Sequence, residues 1–160
     1  RCCGLVTLAS NPSFVSRADW PGAMPVSTFE PFLSGFGDAP NTTLKRFCLL
    51  CSQGSDEPRA LASLLLAGAP NARPDALSAG LELLGRLDTR AALQRFNGPQ
   101  LHLFAGLDAL VPEQAASDVL ALLPDVEVGL IEQACHAFLL EAPHELAAAI
   151  QAFLHESGDE

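Results

Sequence analysis

Residues 100–131, with the sequence QLHLFAGLDALVPEQAASDVLALLPDVEVGLI, alternate between two hydrophobic patterns. QLHLFAG and VEVGLI are short apolar runs typical of buried strands, whereas the intervening PEQAASDVLALLP has the spacing of a helix. A second helical pattern, PHELAAAIQAFLHE, follows at residues 143–156. Strands that alternate with helices favour a parallel sheet with crossover helices. The sequence therefore predicts an α/β fold for this part of the chain.

Two further zones precede this region. Residues 3–9 form an apolar, β-branched run that predicts one more strand, and the turn signals SNPSF and DWPG follow it. From about residue 28 to residue 95 the pattern is helical and is interrupted by Gly, Pro and Asn. We therefore expect a core strand and loop at residues 1–27, a helical lid at 28–95 and a C-terminal core at 96–160.

Several residues predict where individual helices begin and which faces they bury. Thr42 or Thr43 can cap a helix, and Pro58 and Pro74 stand where a first helical turn tolerates proline. The last helix should bury a stripe of apolar residues at helical spacing, made of Leu146, Ile150, Phe153 and Leu154.

Composition and charge exclude several classes of partner. The 160 residues are 49% hydrophobic and 18% charged, which suits one packed domain. No apolar run approaches the roughly 20 residues that a membrane span requires, so we expect a soluble, cytoplasmic protein that does not bind membranes. The net charge is −10, and residues 96–160 contain eleven acidic residues and no Lys or Arg. Because phosphate contacts need clustered cations, we expect no nucleic-acid partner.

The five cysteines indicate no metal site or disulfide framework. Cys48 and Cys51 have C-x-x-C spacing, but they lie in a helical pattern, and no second pair of Cys or His completes four zinc ligands. Cys2 and Cys3 are adjacent, and an odd number of cysteines argues against complete pairing. We therefore expect no metal and no other cofactor.

Asp108 and His136 are the candidate catalytic residues. Asp108 follows the predicted strand QLHLFAG, and His136 follows the strand VEVGLI. Loops at the carboxyl ends of parallel strands lie at the same edge of a sheet, which is where ligands bind. A carboxylate from one loop can accept the Nδ1 proton of a histidine from the next and leave Nε2 free as a base. The order of acid and then histidine is that of α/β-hydrolases.

The nucleophile that such a pair would serve is not evident. The motif G-x-S-x-G should connect a strand to a helix, but Ser34 in FLSGFG and Ser52 in LCSQG lack both that motif and that context. Cys135 is a weak alternative because it directly precedes His136, and sequence neighbours rarely point at each other productively. Residue 1 is Arg, and an apolar run follows at once, so we expect a piece of a longer protein whose serine lies upstream.

Four segments in this order resemble the pimeloyl-[acyl-carrier-protein] methyl ester esterase family of biotin synthesis. They are LVTLASNPSFVSRADWPG, LKRFCLLC, GLDALVP and ACHAFLLEAP, and the likeness covers almost the whole chain. The resemblance implies the C-terminal part of an α/β-hydrolase with an inserted helical lid. It also implies a serine carboxylesterase in which Asp108 is the triad acid and His136 the triad base. Alone, without the upstream serine, the chain should be inactive.

The resemblance further implies roles for lid residues. Phe47, Leu50 and Cys51 match the segment that contacts the acyl chain, although ordinary helix packing explains them equally well. Arg46 and Arg59 match arginines that engage the acyl carrier protein bearing the pimeloyl methyl ester, and solvated surface charges are the alternative. The pattern departs from the family at the positions of two further arginines and just after His136, where this chain has Thr42, Ser63 and Ala137-Phe138-Leu139.

Two other functions remain open. The first is another α/β-hydrolase of the same build, such as a general short-acyl esterase or a carbon–carbon bond hydrolase. The second is a non-catalytic binding module that keeps the fold. We expect the protein to be a monomer.

Overall fold

The computed structural model describes residues 3–69 and 73–158. Within these residues the chain forms a parallel three-stranded sheet in the order β1-β2-β3, with helices between and after its strands. The predicted α/β fold is therefore confirmed. In chain order the elements are β1 (Leu5–Leu8), α1 (Val26–Asp38), α2 (Pro40–Cys51), α3 (Pro58–Ala67), α4 (Pro74–Arg86), α5 (Arg90–Arg95), β2 (Gln100–Ala105), α6 (Gln114–Leu122), β3 (Glu127–Ile131), α7 (Phe138–Glu141) and α8 (Pro143–Gly158).

The central strand β2 divides the hydrophobic core into two clusters. All six of its residues are buried because β1 and β3 pair with its edges and helices cover its faces. Phe104 belongs to the larger cluster, with α6 and parts of the helices that precede the strand. Leu101, Leu103 and Ala105 belong to the second cluster, with α7 and α8. This alternation follows from the two-residue period of a strand, which points successive side chains to opposite faces of the sheet.

Helices α1 to α5 form an insertion between β1 and β2, called the helical insertion below. Pro58 and Pro74 begin α3 and α4, as predicted. The predicted threonine cap of α2 is wrong, since that helix begins at Pro40. Proline already has the φ angle of a first helical turn, so the helix starts before the threonines. Thr43 is buried inside α2, where its hydroxyl donates to the carbonyl of Ala39 at 3.0 Å.

The loop that precedes the helical insertion is fastened to α5, the last helix of that insertion. The guanidinium of Arg90 forms ion pairs with Asp88 at 2.6 Å and with Asp19 at 3.0 Å, and it lies 5.3 Å from the centre of the Trp20 ring. The hydrogen bond from Arg90 lowers the pKa of Asp88 to about 2. The indole N–H of Trp20 donates to the side chain of Asn11 at 2.7 Å. The loop that leaves β1 is therefore held against the start of α5.

The last helix differs from its prediction at one residue. Leu146 and Phe153 are buried and Ile150 is partly buried, but Leu154 is 59% exposed. Successive helical residues are rotated by about 100°, which places Leu154 well to one side of a stripe centred on the other three residues.

The remaining expectations concern metal sites, membrane-spanning helices and the bounds of the three zones. In the described part of the chain, no group of His, Cys, Asp and Glu could hold a metal ion. No helix there has the length and apolar character that a membrane crossing requires. Cys2 lies outside the described residues, and the division at residues 27 and 95 stays a prediction.

Candidate active site

Asp108 lies in the turn that follows β2, and backbone N–H groups hold one of its oxygens. Its Oδ1 accepts hydrogen bonds from Leu110 at 2.7 Å and from Val111 at 2.9 Å. Asp side chains commonly stabilise turns in this way. Its side chain is only 1% exposed, so these donors replace water around a buried carboxylate. The turn therefore orients the other oxygen, Oδ2.

His136 meets this second oxygen. Its Nδ1 lies 2.7 Å from Oδ2 of Asp108, and the His136 side chain is 25% exposed. A carboxylate only accepts hydrogen bonds, so Nδ1 donates and a neutral ring leaves Nε2 unprotonated. Among residues 3–69 and 73–158, no group forms a hydrogen bond with Nε2. The pair can therefore act as an oriented general base.

Backbone contacts between the two strand-end loops bring Asp108 and His136 together. The N–H of Gly106 donates to Ile131 at 3.0 Å, and the N–H of Leu107 donates to Ala134 at 3.0 Å. Gly106 permits this approach because a Cβ atom there would lie 2.4 Å from the carbonyl oxygen of Glu132. Each loop thus supports the other at the carboxyl end of the sheet.

Cys51 is the predicted lid residue that lies beside the pair. Its carbonyl accepts a hydrogen bond from the backbone of Ala137 at 3.2 Å. Burial, together with the neighbouring Cys48, Asp108 and Cys135, raises the pKa of the Cys51 thiol to about 12. The thiol is therefore protonated near neutral pH and presents an uncharged surface.

Phe47 and Leu50 lie in α2, the same helix as Cys51. Both are partly buried and pack against the larger hydrophobic cluster. The Phe47 ring packs edge-to-face against Phe32, with a centroid distance of 6.2 Å. Phe47 also lines an apolar cavity of about 250 Å³ together with residues of α1 and α4, including Phe36 and Leu81. Their role in binding an acyl chain stays a prediction.

Arg46 and Arg59 are exposed on the helical insertion. The Arg46 guanidinium lies 5.8 Å from the centre of the Phe32 ring. Neither arginine forms an ion pair with an acidic group in the described part of the chain. Thr42 and Ser63, at the positions of the family's other two arginines, are exposed as well.

The candidate nucleophiles considered from sequence are poorly placed for attack. The hydroxyl of Ser34 donates to helical carbonyls within α1, and the buried hydroxyl of Ser52 donates to Cys48 at 2.8 Å. Neither serine connects a strand to a helix. Burial raises the pKa of the Cys135 thiol to about 11, which opposes formation of the reactive thiolate.

Solved structures with the same architecture are α/β-hydrolases. An esterase from Exiguobacterium antarcticum superposes with a TM-score of 0.84 and 16% identity, covering 96% of this chain and 57% of that one. A bromoperoxidase from Bacillus anthracis gives a TM-score of 0.79 and 23% identity, covering 90% of this chain and 54% of that one. The chain has the fold of the C-terminal part of an α/β-hydrolase.

Proteins with similar sequences are more specific than the fold about which proteins this chain resembles. The pimeloyl-[acyl-carrier protein] methyl ester esterase of Cronobacter sakazakii is 38% identical over 95% of this chain, and that of Aromatoleum aromaticum is 36% identical over 92% of it. The chain is a homologue of the pimeloyl-[acyl-carrier protein] methyl ester esterases. A bifunctional biotin biosynthesis protein, BioHC, from Teredinibacter turnerae is 36% identical over 95% of the chain. No protein-family model matches the chain.

The chain spans only part of these esterase homologues. It covers 60% of the Cronobacter protein, 62% of the Aromatoleum protein and 29% of the bifunctional protein. The matched part contains the Asp108–His136 pair and the helical insertion.

Glu141 is a residue beside the candidate pair that the sequence did not indicate. Glu141 ends α7, and its Oε2 accepts a hydrogen bond from the backbone N–H of Cys135 at 3.1 Å. The only sequence feature that could have pointed to Glu141 is its position five residues after His136. That spacing is not a known catalytic pattern.

Proposed function

We propose that the protein containing this sequence is a carboxylic ester hydrolase that removes the methyl group from pimeloyl-[acyl-carrier protein] methyl ester in biotin synthesis. The single observation that carries the proposal is the 2.7 Å contact between Asp108 and His136 at the carboxyl end of a parallel sheet. The names of the esterase homologues support the choice of substrate.

In this mechanism a serine outside residues 1–160 supplies the attacking hydroxyl. Nε2 of His136 takes the hydroxyl proton as the serine oxygen bonds to the ester carbonyl carbon. The tetrahedral intermediate then expels methoxide, which takes the proton back from Nε2 and leaves as methanol. His136 next deprotonates a water molecule that attacks the acyl-serine, and the serine oxygen leaves with that proton as the free pimeloyl carboxylate is released. Asp108 keeps the proton of the neutral ring on Nδ1 and stabilises the ring when it is protonated.

Arg46 and Arg59 are proposed to bind the carrier protein. Carrier proteins are acidic and the chain has a net charge of −10, so docking needs local cations to overcome long-range repulsion. Both arginines are exposed and lack acidic partners in the described residues, which leaves them available for an anionic surface. Phe47, Leu50 and Cys51 are proposed to contact the acyl chain. We further propose that the protein acts as a monomer in the cytoplasm.

The test compares two substrates in the full-length protein. Replacing both Arg46 and Arg59 with Glu should raise KM for the carrier-bound methyl ester at least tenfold and leave hydrolysis of free dimethyl pimelate within twofold. Arg95→Glu is the control for a single Arg-to-Glu replacement, because Arg95 is an exposed arginine at the end of α5. The effect should weaken at high salt, since exposed charges are screened.

Three other results would count against the proposal. An equal loss of activity on the carrier-bound ester and on free dimethyl pimelate would contradict the docking role of the arginines. Turnover of simple short-acyl esters with no preference for the carrier-bound ester would favour a general esterase. Absence of hydrolysis of every ester by the full-length protein would favour a binding module.

A further inference from the structure

The backbone on both sides of His136 is held by groups from other segments. The N–H of Cys135, the preceding residue, donates to Oε2 of Glu141 at 3.1 Å. The N–H of Ala137, the following residue, donates to the carbonyl of Cys51 at 3.2 Å. A histidine whose two neighbouring amides are fixed has little freedom to move its backbone, so its ring keeps one relation to Asp108.

The Glu141 carboxylate also joins this loop to the helical insertion. The hydroxyl of Ser55 and the backbone N–H of Asp56, in the turn between α2 and α3, lie close enough to this carboxylate to lower its pKa. Burial acts to raise the pKa of Glu141, but these two neighbouring groups and the hydrogen bonding from Cys135 outweigh it and lower the pKa. Glu141 is an exposed residue and an ionised acceptor near neutral pH.

The same turn also packs against the loop of Asp108. Gly54 has a φ of 98°, and a Cβ atom there would lie 2.6 Å from the Cβ of Leu107, the residue before Asp108. A glycine allows both the left-handed backbone and the close approach. The turn at residues 52–57 thus contacts the loop that carries Asp108 and lies beside Glu141.

We propose that Glu141 is a positioning residue that clamps the His136 loop to the turn at residues 52–57 and so fixes the ring of His136 against Asp108. The inference rests on the proposed function, because the clamp matters only if His136 is the base. It assigns to Glu141 no contact with substrate. It also makes the orientation of the base depend on the position of the helical insertion.

Substitutions in the full-length protein separate the clamp from general stability. Glu141→Gln retains one acceptor oxygen for several donors, and Glu141→Ala retains none. Misplacing a catalytic group by about 1 Å can cost about a hundredfold in rate, so we expect kcat for free dimethyl pimelate to fall about tenfold in the first variant and up to about a hundredfold in the second. KM should change less than threefold. Glu145→Gln, an exposed glutamate in the first turn of α8, is the matched control and should stay within twofold of wild type.

A second readout needs no turnover. The Nδ1 proton of His136 that binds Asp108 should give a downfield proton NMR signal, which Glu141→Gln should shift or broaden and Glu145→Gln should not. Ser55→Ala should give a smaller change in the same direction. Ser55→Ala combined with Glu141→Ala should be no worse than Glu141→Ala alone, because both remove the same link.

The two readouts distinguish failure of the clamp from failure of the proposed function. An unchanged His136 signal and a kcat within twofold of wild type in Glu141→Gln would overturn the clamp. A shifted His136 signal in a protein that hydrolyses no methyl ester would support the clamp and contradict the proposed esterase function. If Glu141→Ala does not fold, Glu141→Gln and Ser55→Ala still decide the question.

Discussion

Replacing Asp108 with Asn gives the sharpest test of the candidate pair, because the structure predicts how the new side chain must lie. Oδ1 of Asp108 accepts from the backbone N–H groups of Leu110 and Val111. An asparagine that turned its NH₂ group toward them would leave two buried donors unpaired, at a cost of about 1–3 kcal/mol each. The amide oxygen therefore stays on the turn, and the NH₂ group faces His136.

This orientation reverses the tautomer of the histidine. An NH₂ group donates to Nδ1, so Nδ1 must be unprotonated and the single proton of the neutral ring moves to Nε2. A protonated Nε2 cannot accept the proton of the attacking hydroxyl. The same replacement in a serine protease lowers kcat by about 10⁴, equivalent to about 5.4 kcal/mol of activation free energy, and we expect a loss of about 10³ to 10⁴ here.

The assay is steady-state hydrolysis of dimethyl pimelate by the full-length protein, with Asp125→Asn as the control. Asp125 is exposed in the loop before β3 and should tolerate the change with less than a twofold effect on kcat. The ¹⁵N chemical shifts of the His136 ring should independently report the exchange of tautomers. A loss of less than tenfold in kcat, with His136 still protonated at Nδ1, would refute this reasoning.

Two further predictions concern stability and are measured by denaturant unfolding of the full-length protein. Burial lowers the pKa of His102, so the folded state binds a proton at this ring less readily than the unfolded state does. The contribution of His102 to the free energy of unfolding is therefore fully present above pH 6.5 and is lost as the pH falls toward the lower folded-state pKa. The slope is at most about 1.4 kcal/mol per pH unit. His102→Gln should flatten this dependence, and equal slopes in both proteins would contradict it. Arg90→Ala should lower the free energy of unfolding by about 1–2 kcal/mol, since it removes one cation–π contact and two partly exposed ion pairs. Arg95→Ala, at the other end of α5, should change it by less than about 0.5 kcal/mol, and an equal effect of both variants would show that the Arg90 contacts contribute nothing.

The sequence predicted the order of the strands and helices from residue 100 onward because those elements depend on local periodicity. Strand β2 is buried on both faces and four of its six residues are apolar, and the prolines of α3 and α4 mark first turns through their fixed φ angle. Predictions failed where packing or a neighbouring residue overrode the pattern. Pro40 started α2 before the threonines, and Leu154 fell beside the buried stripe of α8.

The pairing of Asp108 with His136 was only partly accessible from the sequence. Their positions after successive strands indicated one edge of the sheet, because parallel strands end at the same edge. The two backbone N–H groups that bind Oδ1 are placed by the turn after β2. Together with His136 they stabilise the buried carboxylate of Asp108. That the two residues act in catalysis stays a prediction.

By itself, the sequence determined the α/β architecture and the positions of Asp108 and His136 just after strands. Both features follow from hydrophobic periods of two or 3.6 residues and from the turn signals between them. Only the tertiary structure brought Glu141 beside the turn at residues 52–57 and paired Thr7 with His102 across β1 and β2. These contacts join residues about 85 to 95 positions apart along the chain. No local period encodes them, because they form only when packing of the whole core brings distant segments together.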